Sequence, residues 1–179
     1  MPVAPRLIEV SIHDVKQLFN SMDPSPFHER DLDDDADAYI VSWAREYAIN
    51  APVKLRVHLE EWPAGDPAEM IADAVHHHYE NSAALAALEM RRVMREGRAT
   101  LAIGLLFLAI CLGASRAITL RSRAEWATYL TEGLLIVGWV AMWRPLQTYL
   151  YDWWPVRLKR LIYTKLSAMP VEVVRKQPG

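Results

Sequence analysis

Glu132 is the residue that most invites a chemical role, because a carboxylate inside an apolar run can pair with a cation, relay a proton or hold an ion. Placing such a group in a bilayer costs roughly 2.5–3.5 kcal/mol on insertion scales, so it demands a partner. Counting outward from the turn near Arg123, Arg116 lies at a similar depth in the preceding apolar run. The spacing therefore predicts an intramembrane polar pair, Arg116 with Glu132. Contact of Glu132 with a second subunit or partner ranks below that reading, and a proton or ion relay ranks last, since one carboxylate is too few.

Histidine chemistry is the next candidate. His76, His77 and His78 share a stretch with Asp73 and Glu80, so that Asp73 with His77, and His76 with Glu80, fall on common helix faces. One face supplies only two ligands, and a third would have to come from His58, His28 or another copy of the chain. A solvated or packed face is the preferred reading, with no metal or other cofactor. Asp31, Asp33 and Asp35 resemble the start of a calcium loop, but Ala36 stands where the loop needs Gly and Ser42 where it needs the bidentate Glu. Cys111 is the single cysteine, which excludes an intramolecular disulfide and a thiolate metal site. No nucleophile elbow, phosphate loop or dinucleotide fingerprint occurs, and the chain has only 7 glycines for phosphate-cradling loops, so no enzymatic activity is expected.

The elements that must position these residues follow from periodicity. Ile8, Val10 and Ile12 alternate with polar residues and predict a short strand. Ser11 and Asp14 resemble a capping signal for a short helix through Val15, Leu18 and Phe19. The run NSMDPSPF over residues 20–27 reads as turns. Ala36, Tyr39, Ile40, Trp43, Ala44 and Tyr47 make a helical stripe behind an acidic start at residues 31–35. Val53, Leu55, Val57 and Leu59 alternate with Lys54, Arg56, His58 and Glu60 in a second strand. Asp66-Pro67-Ala68-Glu69 starts a helix that meets no proline before Pro145, with Gly97 the place for a bend.

Residues 99–118 carry no charge up to Arg116, which snorkels, and reach the length of a membrane span. Residues 126–150 read as a second span with a dense aromatic belt. Trp143, Arg144, Tyr149, Tyr151, Trp153 and Trp154 are its interfacial, lipid-contacting candidates, and Pro145 is expected to kink or end that span. Leu158, Leu161, Ile162 and Leu166 face several cations in residues 155–179, which reads as an amphipathic helix lying on an anionic surface, followed by a tail. Gly104 and Gly113 are expected to permit close helix packing.

The organisation is thus an acidic α+β head over residues 1–66, a long juxtamembrane helix over 67–98, and the two spans and interfacial helix just given. The fold class is mostly α: a head of about two short strands and several helices, joined by the long helix to a two-helix transmembrane hairpin. Charge agrees with that division. Residues 1–90 hold 6 basic against 17 acidic side chains, a balance of −11, while residues 91–179 hold 14 against 5, or +9. An acidic head before a basic, apolar half fits a membrane protein and excludes a nucleic-acid binder. Eight Lys and Arg flank the spans on one side and three lie between them, which predicts both termini in the cytoplasm. MPVAPRLIEV lacks the pattern of a cleavable signal.

The segments EGLLIVGWVAMWRPLQTYLYDWWP and LFNSMDPSPFHERDLDDDADAYIV resemble uncharacterised bacterial two-span integral membrane proteins, a family with no assigned activity. The resemblance implies a multi-pass protein of the bacterial inner membrane and contributes no catalytic residue. The expected function is a non-enzymatic interaction or assembly module. Its partners are the lipid bilayer and either a second copy or another membrane protein, self-association being favoured because a two-stranded sheet is marginal alone. The alternative is a subunit of a transport or ion-handling complex that uses Glu132 and Arg116.

Overall fold

Alternating side chains become strands in the computed structural model, which describes residues 5–20, 30–63, 65–122 and 124–176. Strand β1 runs Arg6–Ile12 and β2 runs Val53–Leu59. In β2 every odd residue from Val53 to Leu59 is buried, whereas Lys54, Arg56 and His58 are only half-buried. The two strands pair in parallel with Ile8 opposite Leu55 and Ile12 opposite Leu59. A parallel pair requires a crossover, and helix α1 (Asp34–Glu46) supplies it. Asp33 caps α1 by accepting from the Asp35 amide at 3.1 Å, and Asp34, Asp35 and Asp37 complement the positive end of its dipole. Its buried stripe is narrower than the sequence suggests. Ile40, Val41 and Ala44 are buried, while Tyr39 and Trp43 pack edge to face on the outside, ring centroids 6.2 Å apart. Between β1 and α1, a 3-10 turn at Val15–Leu18 is capped by Asp14 rather than Ser11. The turns expected over residues 21–27, and His28, lie outside the described residues.

Helix α2 spans Ala68–Arg121, 54 residues without a break, about 81 Å at 1.5 Å per residue. Asp66 accepts from the Ala68 amide at 3.0 Å to start it. The helix continues through Gly97, and it serves two hydrophobic environments in turn. Ile71, Ala74, Val75 and Tyr79 are fully buried in the head. Further on, Ile103, Leu106 and Ile110 are each at least 60% exposed. Among the described helices α2 alone is long and apolar enough to cross a membrane.

The second apolar segment is divided. Helix α3 covers Glu125–Ala141, α4 Trp143–Gln147, a π-helical turn Thr148–Asp152, and α5 Trp153–Ser167. Pro145 lacks the amide that would close a helical bond onto Ala141, so the break at Met142 sits where the proline requires it. The expected two-helix transmembrane hairpin therefore appears as one long apolar helix and one shorter, interrupted segment.

The C-terminal stretch departs furthest from expectation. Val171–Arg175 forms a third strand, β3, parallel to β2, with Leu55 opposite Val171 and Leu59 opposite Arg175. The sheet order is β1-β2-β3, three strands rather than two. Two of the apolar positions of α5 do not face outward: Ile162 and Leu166, with Met169 after them, enter the head core alongside Ile8, Leu55 and Tyr79. Leu158 and Leu161 remain partly exposed. The chain accordingly divides into two units, Met1–Ala87 with Leu158–Gly179, and Leu88–Arg157.

Leu166 is fully buried although it lies near the chain end. Leu166→Ala is expected to destabilise the head by roughly 2–5 kcal/mol, the usual cost of a buried Leu truncation, while Leu161→Ala changes it little. Denaturant unfolding followed by circular dichroism checks both. Equal, small effects would contradict the burial of this helix.

Candidate functional site

In the unit Leu88–Arg157, small residues set how closely α2 and α3 approach. A Cβ on Gly138 would lie 2.9 Å from Leu108 Cδ1 and 3.1 Å from Cys111 Cβ, and one on Gly104 would lie 3.3 Å from the Ala141 carbonyl oxygen. Cys111, Ser115 and Ala127 are buried along the same seam. A Cβ on Gly113 would meet nothing within 4 Å, so the packing glycines are Gly104 and Gly138.

This register decides the fate of Arg116 and Glu132. From Gly138 opposite Leu108 and Cys111, six residues toward the connecting turn bring the two helices to Glu132 and to the neighbourhood of Arg116. Contact does not follow. Ser115 occupies the seam, and the next residue is turned about 100° away on a helix of 3.6 residues per turn. Both side chains are exposed, and no ion pair joins them among the described residues.

The aromatic cluster lies in the same unit. Trp143, Tyr151 and Trp154 are 73%, 68% and 61% exposed, a cost in water that a bilayer interface would relieve. Arg144 is exposed beside them. Trp153 Nε1 donates to the Tyr149 carbonyl at 2.7 Å, and the Arg157 guanidinium lies 5.6 Å from the centre of the Trp153 ring. Thr148 is buried, donates to Asp152 at 3.1 Å, and lies where a Cβ on Gly97 would come within 2.9 Å of its methyl group.

The head separates the three histidines. His76 Nε2 is 2.8 Å from the Met169 carbonyl, which occupies it and ties α2 to the entry of β3. His77, Asp73 and Glu80 are exposed. His58, considered as a third ligand, faces Glu9 at 3.2 Å. Among the described residues no group of three His, Cys, Asp or Glu side chains is placed to hold a metal ion.

His78 stands elsewhere, in a cluster the sequence does not suggest. Its Nδ1 is 2.9 Å from Asp31 and its Nε2 is 3.5 Å from Asp37, with the side chain only 12% exposed. The Leu32 amide also approaches Nδ1, at 3.3 Å. A ring nitrogen cannot donate to a carboxylate and accept from an amide at once, and the shorter, charged contact prevails. Burial opposes the charged imidazole, but Asp37 and Asp31 more than offset it, holding His78 above its ordinary value. Beside it Tyr79 is wholly buried, and burial with the nearby Asp37 carboxylate raises its phenol further. Spacing could not announce this cluster, because Asp31 and Asp37 are more than forty residues from His78.

The face of the sheet turned away from the core is polar and laddered. Arg56 bridges Glu172 at 2.8 Å and Glu9 at 3.3 Å, and Lys54 adds a second contact to Glu172 at 3.0 Å. At the strand ends Glu60 joins His13 at 2.9 Å and Lys176 at 2.6 Å. Lys54, Arg56 and His58 are legible as one face of β2 from their alternation. Their acidic partner Glu172 is not, since VEVVR belongs to the segment expected to be helix and tail.

No family model, curated protein or solved structure matches this chain.

The His78 cluster has a definite pH signature. A histidine raised on folding contributes stability that is complete below its unfolded value near 6.5 and is lost as pH rises through the higher folded value. Thermal unfolding of the full-length protein in detergent is expected at a lower temperature at pH 8 than at pH 6, with His78→Gln flattening the difference. His13, also raised, adds a weaker trend of the same sign because it is exposed and solvent screens it. An unchanged pH dependence in His78→Gln would remove the cluster from the explanation.

Proposed function

We propose that the chain is a multi-pass protein of the bacterial inner membrane, anchored by α2 and α3 as a transmembrane hairpin, whose cytoplasmic α+β head is a non-enzymatic assembly module that joins copies of itself or another membrane protein. The pairing of β2 with β3 carries the membrane part of this reading. Residues before and after the apolar unit belong to one sheet, so if α2 crosses the bilayer the chain must cross again before β3. The segment α3 to α4, with 17 residues in α3 and an apolar continuation past Met142, supplies that return.

Distances support the same arrangement. Arg98 and Arg116 are eighteen residues apart on one face of α2, about 27 Å at 1.5 Å per residue, close to the roughly 30 Å of a hydrocarbon core. Arg116 then belongs to the far interface, and Glu132, level with it, does too. That depth lowers the cost of each charge and supports anchoring over an ion relay. Arg91, Arg92, Arg95, Arg98 and Arg157 next to the head, against Arg116, Arg121 and Arg123 toward the turn, favour a cytoplasmic head.

Support for assembly comes from the open face of the sheet. Parallel sheets are normally covered on both faces, and here helices cover one while Glu9, Arg56, His58 and Glu172 line the other. Purified full-length protein in mild detergent is expected to show by light scattering a mass of more than one polypeptide. Arg56→Glu, which sets a third carboxylate between Glu9 and Glu172, should reduce that mass to a single chain. Such half-exposed pairs contribute only about 0–1 kcal/mol to folding, so the variant should retain its circular dichroism. A wild type that is a single chain and retains no membrane-protein partner would contradict the assembly role.

A further inference from the structure

Just before its apolar half, α2 carries a recess. Arg91, Arg95 and Arg98 line it together with Met90, Met94 and Tyr149, and its volume is about 500 Å³. The three arginines recur at i, i+4 and i+7, which sets their guanidiniums along one helix face. No carboxylate lines the recess, and among the described residues none of the three takes part in an ion pair. Arg92, one position along, behaves differently: it turns aside and binds Glu96 at 2.8 Å. Three like charges on adjacent turns repel one another, and an anion between them turns that repulsion into attraction.

Tyr149 lines the recess from the chain segment after α4. It belongs to the π-helical turn Thr148–Asp152, and such turns re-aim side chains and recur at functional sites. Gly97 admits the preceding residue, since a Cβ there would lie 2.9 Å from the Thr148 methyl, while the Tyr149 ring stands at ordinary contact distance, 3.7 Å. The phenol adds a neutral donor to the three cations.

We propose that this recess binds the phosphate of an anionic glycerophospholipid in the cytoplasmic leaflet. The assignment rests on the membrane reading above. A lipid rather than a free phosphate is indicated by what continues along the same face of α2. Ala102, Leu105, Ala109 and Leu112 follow Arg98 in register and are exposed and apolar, a surface for acyl chains directly beyond the headgroup site. Guanidiniums suit the recognition because each can meet phosphate oxygens in a bidentate manner. A zwitterionic headgroup would bring its own cation into the cluster and bind less well.

The test is native mass spectrometry of the full-length protein released from detergent, offered equal amounts of phosphatidylglycerol and phosphatidylcholine with identical chains. The wild type is expected to retain phosphatidylglycerol in preference, and Arg91→Gln/Arg95→Gln to lower that preference roughly tenfold. Arg92→Gln removes the same kind of charge outside the recess and should leave the preference in place, while Tyr149→Phe provides a milder change should the double variant fail to fold. Equal retention of the two lipids, or equal loss in Arg92→Gln, would overturn the site. Displacement of phosphatidylglycerol by millimolar inorganic phosphate would overturn the lipid assignment in favour of a free anion. Alkaline washing of membranes carrying each variant separates the two claims: protein that stays in the pellet but shows no lipid preference rejects the recess alone, whereas wild type that washes off rejects the membrane reading.

Discussion

The hydrogen-bonded ladder between β2 and β3 is the constraint on which the remainder depends. It joins residues more than a hundred positions apart and makes the head a product of both ends of the chain. Val171 and Val173 extend the buried side of the sheet, and Ile162, Leu166 and Met169 fill the core behind it. Closing so long a loop is entropically expensive, but the cost grows only logarithmically with length and is reduced further when the intervening chain is itself a packed helical unit. Should α2 cross a membrane, the same ladder would require a second crossing before β3.

Two kinds of surface remain once that core is satisfied. In Leu88–Arg157 the seam between α2 and α3 is built from Gly104, Cys111, Ser115 and Gly138, residues small enough for backbones to approach. The large apolar side chains, Ile103, Leu106, Ile136 and Trp139, point outward instead. That inversion suits a lipid environment, where van der Waals contact between small residues holds helices together and apolar side chains need no shelter from water. In the head the order is the ordinary one, with apolar residues inside and an ion-paired outer sheet face.

Local periodicity makes much of this legible. The alternation from Val53 to Leu59, the acidic start of α1 and the Asp66-Pro67 start of α2 each lead to the observed element, because each is specified by neighbours within one or two turns. Residues 155–179 depart from expectation for an equally physical reason. Leu158, Leu161, Ile162 and Leu166 form an amphipathic stripe whether they face a membrane or a core, and only β3 beyond Pro170 decides between the two. The run VEVVR following a proline is the available signal, since β-branched residues after a helix stop favour a strand. Arg116 and Glu132 show the complementary limit. Helix length sets how far each lies from the connecting turn, but which way each points depends on the seam chosen by Gly104 and Gly138. The His78 cluster is invisible in the sequence because its members meet only in the folded head.

The most direct measurement is labelling by a membrane-impermeant thiol reagent in a Cys111→Ser background, with single cysteines introduced as Ser11→Cys on β1, Ser122→Cys in the connecting turn and Arg175→Cys on β3. A cytoplasmic head closed by β3 above a transmembrane hairpin requires that Ser122→Cys react from outside the cell, whereas Ser11→Cys and Arg175→Cys react only in inverted vesicles, together. Labelling of the β1 and β3 positions from opposite sides of the membrane, or of all three from the same side, would contradict it.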